Sequence, residues 1–179
     1  MRAFRRTLTL AALAAAVVTL GACATTRVNA SLERGMNFTQ YKSYAWAADE
    51  KFSTGDPRLD NNEFFENTLR EAVDKSLATR GFEKTSVATA QIVVHYHANA
   101  HQQIDVNKLD RQYGYCDDCH SSIYDAGTIT LDLVDAKTNK LVWRGWSEGS
   151  LDGIDTQSLI EARVTDAVTK IMQKLPPRM

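Results

Sequence analysis

Two cysteines and a histidine stand together at Cys116-Asp117-Asp118-Cys119-His120, in a chain with three cysteines and four histidines in all. In an exported chain, C-x-x-C-H is the attachment signature of c-type haem: the thiols bond the porphyrin and the histidine is an axial ligand. A second axial ligand would come from His95, His97, His101 or a methionine. The surrounding loop, Gln112 to Asp125, argues against haem, because it holds Gly114 and several aspartates and no apolar stripe. A second reading is a metal site. His95, His97, Cys116, Cys119 and His120 form a ligand set suited to Zn or Cu. His95 and His97, two apart on a strand, point to one side within about 7 Å of each other. Both can equally be polar cover on an open sheet face. The plainest reading is a disulfide between Cys116 and Cys119, which an oxidising compartment would form. Closing so short a loop contributes about 2 kcal/mol at most.

The compartment is set by the start of the chain. Arg2, Arg5 and Arg6 precede an apolar run from Leu8 to Leu20, interrupted only by Thr9 and Thr19. The run is too short for a comfortable membrane span, and a basic start before a short apolar run marks an export signal. It ends in Leu20-Gly21-Ala22-Cys23. That tetrapeptide resembles the lipobox of bacterial lipoproteins, where signal peptidase II cuts before the cysteine and the thiol carries diacylglycerol. The resemblance implies a signal peptide over 1–22, a lipidated Cys23 with a short tether over 23–26, and one domain over 27–179. Ala24 at the second position, where an inner-membrane lipoprotein carries Asp, implies sorting to the outer membrane, on its periplasmic face. Ala24, Thr25 and Thr26 span little at about 3.5 Å each, so the domain is expected to sit close to the bilayer.

Composition bounds the rest. The 179 residues are 44% hydrophobic and 24% charged, with a formal net charge of −1. That suffices for one globular core and excludes a polytopic membrane protein, a collagen-like repeat and a long disordered chain. It also leaves no basic footprint for nucleic acid.

The elements that position these residues read as α+β. Val28, Ala30 and Leu32 alternate with polar residues and predict a strand that Gly35 breaks. Tyr41 to Trp46 is aromatic-rich and predicts a second strand. Lys51 to Asn61, with Gly55, Asp56, Pro57 and Asp60, reads as a loop. Asp60 and Glu63 fit a capping box for a helix whose stripe is Phe65, Leu69, Ala72, Val73 and Leu77. Gly81 suits a left-handed helix end covered by Phe82. From Gln91 a third strand places Ile92, Val94, Tyr96 and Ala98 on one face and Val93, His95, His97, Asn99 and His101 on the other. Thr128 to Val134 and Leu141 to Trp146 predict two more strands around a turn at 135–140, with Asn139 suited to positive φ. Trp143 and Trp146 then fall one inward and one outward. Ser158 and Glu161 fit a cap for a last helix with Ile160, Val164, Val168, Ile171 and Leu175 as its stripe, ended by Pro176 and Pro177. The expected architecture is two-layer: a mostly antiparallel sheet of about five strands with both helices on one face.

The segments Phe38-Thr39-Gln40-Tyr41-Lys42-Ser43-Tyr44-Ala45-Trp46, Asp56-Pro57-Arg58-Leu59, Ile92-Val93-Val94-His95-Tyr96-His97-Ala98, Leu131-Asp132-Leu133-Val134-Asp135, Leu141-Val142-Trp143-Arg144-Gly145 and Leu175-Pro176-Pro177 occur in this order. Together they resemble the bacterial lipoprotein family with domain of unknown function 4136. The resemblance covers nearly all of the chain after the signal. It implies an envelope lipoprotein with a small α+β fold, and it carries over no activity.

No G-x-S-x-G, H-E-x-x-H, Walker loop or dinucleotide fingerprint is present. The expectation is a non-enzymatic binding or envelope-support module. Its partners would be the membrane, through its N-terminal lipid, and another envelope protein, with no nucleic acid and no cofactor. The rival expectation is a redox or metal carrier holding Zn, Cu or haem c.

Overall fold

A computed structural model describes residues 26–48, 59–60, 62–104 and 123–177. The export signal, Cys23, most of the Lys51–Asn61 loop and the cluster Cys116 to His120 lie outside the described residues.

Alternation drives the strands. β1 (Arg27–Leu32) exposes Arg27, Asn29 and Ser31 while Val28 and Ala30 pack against the core. Leu32, expected on the inward face, is 43% exposed at the strand end. A 3₁₀ turn, Phe38–Gln40, leads into β2 (Ser43–Trp46), where Tyr44, Ala45 and Trp46 are all buried. Helix α1 (Glu63–Thr79) follows, then β3 (Glu83–Lys84), β4 (Ile92–Ile104), β5 (Ile123–Asp135), β6 (Lys140–Ser150) and helix α2 (Gln157–Gln173). The strands form one sheet in the order β1-β6-β5-β4-β2-β3. β1, β6, β5 and β4 pair antiparallel; β2 runs parallel to both β4 and β3. The fold is thus α+β as expected, with six strands instead of about five. The extra one is the two-residue β3, too short to show an alternation of its own.

The helices bury the stripes that periodicity marks. Phe65, Leu69, Val73 and Leu77 of α1, and Val164, Val168 and Ile171 of α2, join one core with Leu175 and the inner sheet face. α1 begins two residues later than the capping-box rule suggests. Its cap is Asn62, whose side chain accepts the Phe65 backbone N–H at 3.1 Å. α2 begins two residues earlier, on Thr156, whose hydroxyl accepts from Leu159. At the end of α1, Gly81 takes φ 77°. The Phe82 and Gly81 amides donate back to Leu77 and Ala78, closing the exposed carbonyls, and Phe82 is buried over them.

The hairpin between β5 and β6 decides what each face carries. At the turn, where Asn139 has φ 53°, Asp135 pairs with Lys140 and Val134 with Leu141. The register then slips by one residue, so Leu133 pairs with Trp143 and Asp132 with Arg144. Val142 is the extra residue of this bulge. Because a one-residue slip exchanges the two faces of a strand, the bulge turns Trp143 inward beside Leu133. Trp146 lies half-buried on the outer face, opposite Thr130 and Asn29. Gly145 leaves room for this packing: a Cβ there would stand 2.4 Å from the Trp143 ring and 2.6 Å from Ile171.

Candidate functional site

The outer sheet face carries His95, His97 and His101. His95 lies directly across from Asp132, and His97 across from Thr130. Asp132 is 5% exposed, an uncommon degree of burial for a carboxylate. It is held by a fork of two bonds, Arg144 Nε donating to Oδ1 at 2.6 Å and a terminal Arg144 nitrogen to Oδ2 at 2.5 Å. This two-point fit raises the Arg144 guanidinium above its usual value, the hydrogen bonds to Asp132 being the main cause. His97 Nε2 stands 3.8 Å from Asp132 Oδ2, beyond hydrogen-bond range, with its side chain 45% exposed. The carboxylate is therefore committed to Arg144. The arrangement staples β5 to β6 and does not orient His97 as a base. Sequence reasoning missed Asp132, because nothing short of the hairpin register places Arg144 opposite it.

The Cys-His readings divide. His95 and His97 share the outer face, as their spacing predicts, with His101 further along β4. Cys116, Cys119 and His120 lie outside the described residues, as does Cys23. Among the described residues no group of three or more His, Cys, Asp or Glu side chains is arranged to hold a metal ion. No described helix is long and apolar enough to cross a membrane.

At one margin of the inner face, two carboxylates order the loops. Asp74 on α1 accepts from Tyr44 Oη at 2.8 Å and Trp46 Nε1 at 2.9 Å, and pairs with Lys84 at 2.8 Å. Burial, with Asp74 beside it, pushes the Tyr44 phenol up. Asp135 accepts from Tyr41 at 2.8 Å and from the Thr138 and Lys137 amides of the hairpin turn. Those donors, the Thr138 amide first, hold its carboxyl below the usual range. These contacts lock β2 to α1 and to the hairpin; each acceptor is filled from within the fold.

The other margin is open. Between the far ends of β5 and β6 and the first turns of α2 lies a cleft of about 60 Å³. Its walls are mostly apolar side chains, among them Leu59, Phe65, Leu151, Ile154 and Ile160. Gly127 and Gly149 contribute bare backbone to its lining, and Leu151 packs where a Gly127 side chain would be: a Cβ there would stand 2.7 Å from it. Its polar lining residues are Asn99, Thr128, Ser147 (3% exposed), Ser150 and Arg163, with Thr26. Thr26, at the start of the described chain, lines its edge. Sequence reasoning did not find this cleft. Ser147 and Gly149 lie beyond the predicted end of the last strand, which in fact runs on to Ser150.

A mostly antiparallel sheet with two helices on one face, its hairpin bulged and one cleft at the sheet end, defines a small α+β domain of a recurrent kind. The sequence matches the family described as Domain of unknown function (DUF4136) over residues 28–177, and the chain belongs to that family. Among solved structures it is similar to a PDZ domain protein from Parabacteroides distasonis, at 13% identity and a TM-score of 0.51. That match covers 83% of this chain but 36% of the other, so this chain spans about a third of that protein's length. A dodecameric PelC variant from Paraburkholderia phytofirmans is 11% identical with a TM-score of 0.50, over 86% of this chain and 99% of that one. A DUF4136 family protein from Bacteroides thetaiotaomicron is 14% identical with a TM-score of 0.49, over 80% and 94%. At such identities the first two likenesses show the fold alone. No curated protein matches the chain.

Proposed function

We propose that the protein is a lipoprotein anchored through Cys23 to the periplasmic face of the outer membrane, and that its folded domain is a binding module. The observation that carries this reading is the cleft beside Thr26, three residues after the lipobox cysteine. Three residues reach about 10 Å, so an acylated Cys23 would hold the cleft next to the bilayer. Several buried methylenes at about 0.8 kcal/mol each make such an anchor durable. Family membership supports an envelope setting for the domain.

The anchor has a direct test. Mass spectrometry of the wild-type protein from envelopes should show an acylated N-terminal Cys23, and Cys23→Ala should leave an unprocessed precursor at the inner membrane. An unacylated mature N-terminus on the wild type defeats the anchor. The binding role is tested by a photo-crosslinking side chain in place of Ile160, at the cleft wall, in native envelopes. A discrete adduct to one envelope component supports it, and the absence of any adduct overturns it.

A further inference from the structure

We propose that one end of the domain is a membrane-docking face, where Phe64, Ile104, Ile123 and Leu159 enter the surface of a zwitterionic phospholipid bilayer. This rests on the Cys23 anchor of the preceding reading and adds the protein surface that meets the lipid.

The first ground is where the exposed apolar side chains lie. Phe64 is 66% exposed, Ile123 56%, Ile104 51% and Leu159 46%. One such side chain alone would be ordinary, but a group of them marks an interaction surface. The topology gathers these four. Ile104 and Ile123 are direct partners at the outermost rung of the β4–β5 pair. Ile104 lies six residues from Ala98, a core residue, so alternation turns it and its partner to the helix side of the sheet. Phe64 and Leu159 each sit in the first turn of a helix, next to Phe65 and Ile160, both of which line the cleft. The two helices run the same way, since Arg80 at the end of α1 grips the last carbonyls of α2. Both first turns therefore lie at the end towards which the β4–β5 ribbon projects. The other exposed large hydrophobics, Leu32, Val87 and Leu141, lie around the opposite end, near the β5–β6 turn and the start of β4.

The second ground is the length of the tether, and it selects lipid as the partner. Thr26 stands against the Gly127–Gly149 rung: a Cβ on Gly149 would be 3.5 Å from its hydroxyl. β1 is antiparallel to β6 and runs away from this end, so the chain before Thr26 belongs on the docking side. From that rung Ile123 is four residues on, about 13 Å. From Thr26, Cys23 is three residues back, about 10 Å at full stretch. Tether and ribbon come out nearly level. Acyl chains rooted in a leaflet would hold the isoleucine rung at its surface, within reach of lipid before any protein partner arrives.

The third ground is charge, which chooses among lipids. Exposed acids accompany the apolar side chains: Glu63 beside Phe64, Asp125 two residues from Ile123, and Asp152 and Asp155 ahead of Leu159. Against these stand half-buried Arg163 and Arg27, the latter 4.0 Å from Glu148. A basic rim would seek anionic headgroups; this end has an acidic one and fits a zwitterionic surface.

The test uses the mature lipoprotein in phosphatidylcholine nanodiscs, with a polarity-sensitive fluorescent amino acid in place of Phe64, Ile123, Leu159 or Val87 in turn. Interfacial side chains bury about 5–10 Å deep, so lipids brominated on the upper acyl carbons should quench the first three probes about twofold. The Val87 probe should keep its emission. Phe64→Ser together with Ile123→Ser should return the Leu159 probe to the emission it has in water. The melting temperature should not change, because both side chains are exposed. Quenching should persist in high salt and weaken in phosphatidylglycerol discs. Mass spectrometry of the same sample separates the two readings. Acylated Cys23 with unquenched probes at 64, 123 and 159 overturns the docking face and leaves the anchor standing. Equal quenching at Val87 also overturns it, since the domain would then present no fixed side. If Cys23 proves unacylated the anchor falls, and the face is judged on that protein with phosphatidylcholine vesicles: quenching at the three positions supports it, and none overturns it. Probes shielded in native envelopes yet unquenched in lipid alone would mean that a protein covers this end, which overturns the lipid assignment.

Discussion

Single residues here act mainly through where the backbone register sets them. Asp132 occupies an outward position of an alternating strand, and only the Val142 bulge brings Arg144 across from it. Had the register begun at the turn continued, Trp143 would face Asp132, and a buried carboxylate would have no partner. Tyr41 is a second case, and one with a pH signature. Its hydroxyl donates to Asp135, and burial foremost, then Asp135, pushes the phenol up to about 12 from 10.0. The folded-state value lies above the unfolded one, so the contribution is complete below pH 10 and is lost as the pH rises towards 12. Tyr41→Phe should therefore cost about 1 kcal/mol near pH 8, the worth of one such bond, and progressively less above pH 10. Urea midpoints of both proteins at pH 8 and pH 11.5 measure this; an unchanged gap between them would show that the phenol does not titrate differently on folding. Neither pairing was legible in the sequence. The residues were in view, but each partner is fixed by a long-range contact: 94 positions away for Tyr41, and across a bulge for Asp132.

At the scale of elements, the sequence was read well where a local rule suffices and less well where two local rules compete. Gly81 and Phe82 close α1 as their types predict, and Asn139 takes positive φ in the hairpin turn. The starts of both helices moved by two residues. Asp60 and Glu63 fit a capping box, yet Asn62, immediately before Glu63, is an equally good cap and presents its oxygen to the Phe65 amide. Thr156 displaces Ser158 in the same way at α2. This difference has a measurable consequence. Asn62→Ala should destabilise by about 1 kcal/mol, the ordinary worth of a cap, because Ala leaves the Phe65 N–H without its acceptor. Asn62→Asp should restore most of that stability, since a carboxylate serves the same amide. Thermal melts of the pair decide it: Asn62→Asp as unstable as Asn62→Ala would mean the side-chain bond to Phe65 contributes little. The parallel pairing of β2 with β4 had no local signal at all, since α1 and β3 intervene in the sequence.

The whole molecule is held by one core, and that sets how it should unfold. The α1 stripe, the α2 stripe and the inner sheet face belong to a single buried cluster, with Trp143 among its largest members. The two helices are also tied end to end, because Arg80 donates to the Leu175 carbonyl at 3.0 Å and the Met172 carbonyl at 2.6 Å. No layer can lose its packing without exposing the stripe of another, so the helices and sheet should melt together as small domains with one core do. Leu69 and Ile171, both fully buried and on different helices, report on this. Leu69→Ala and Ile171→Ala should each lower stability by about 2–5 kcal/mol, the cost of a cavity that a close-packed core fills only in part. Thr169, exposed on α2 away from the stripe, should tolerate Ala within about 0.5 kcal/mol. The informative measurement is whether far-UV circular dichroism and tryptophan fluorescence share one midpoint in wild type and in both core variants. The first probe follows the helices, and the second follows the sheet tryptophans Trp46, Trp143 and Trp146, of which Trp143 is fully buried in the core. If Leu69→Ala moved the circular-dichroism transition and left the fluorescence transition in place, α1 would be unfolding alone and the shared core would not be the unit of stability. Coincident midpoints that fall together in both variants would show that damage in either helix is carried through the sheet to the other.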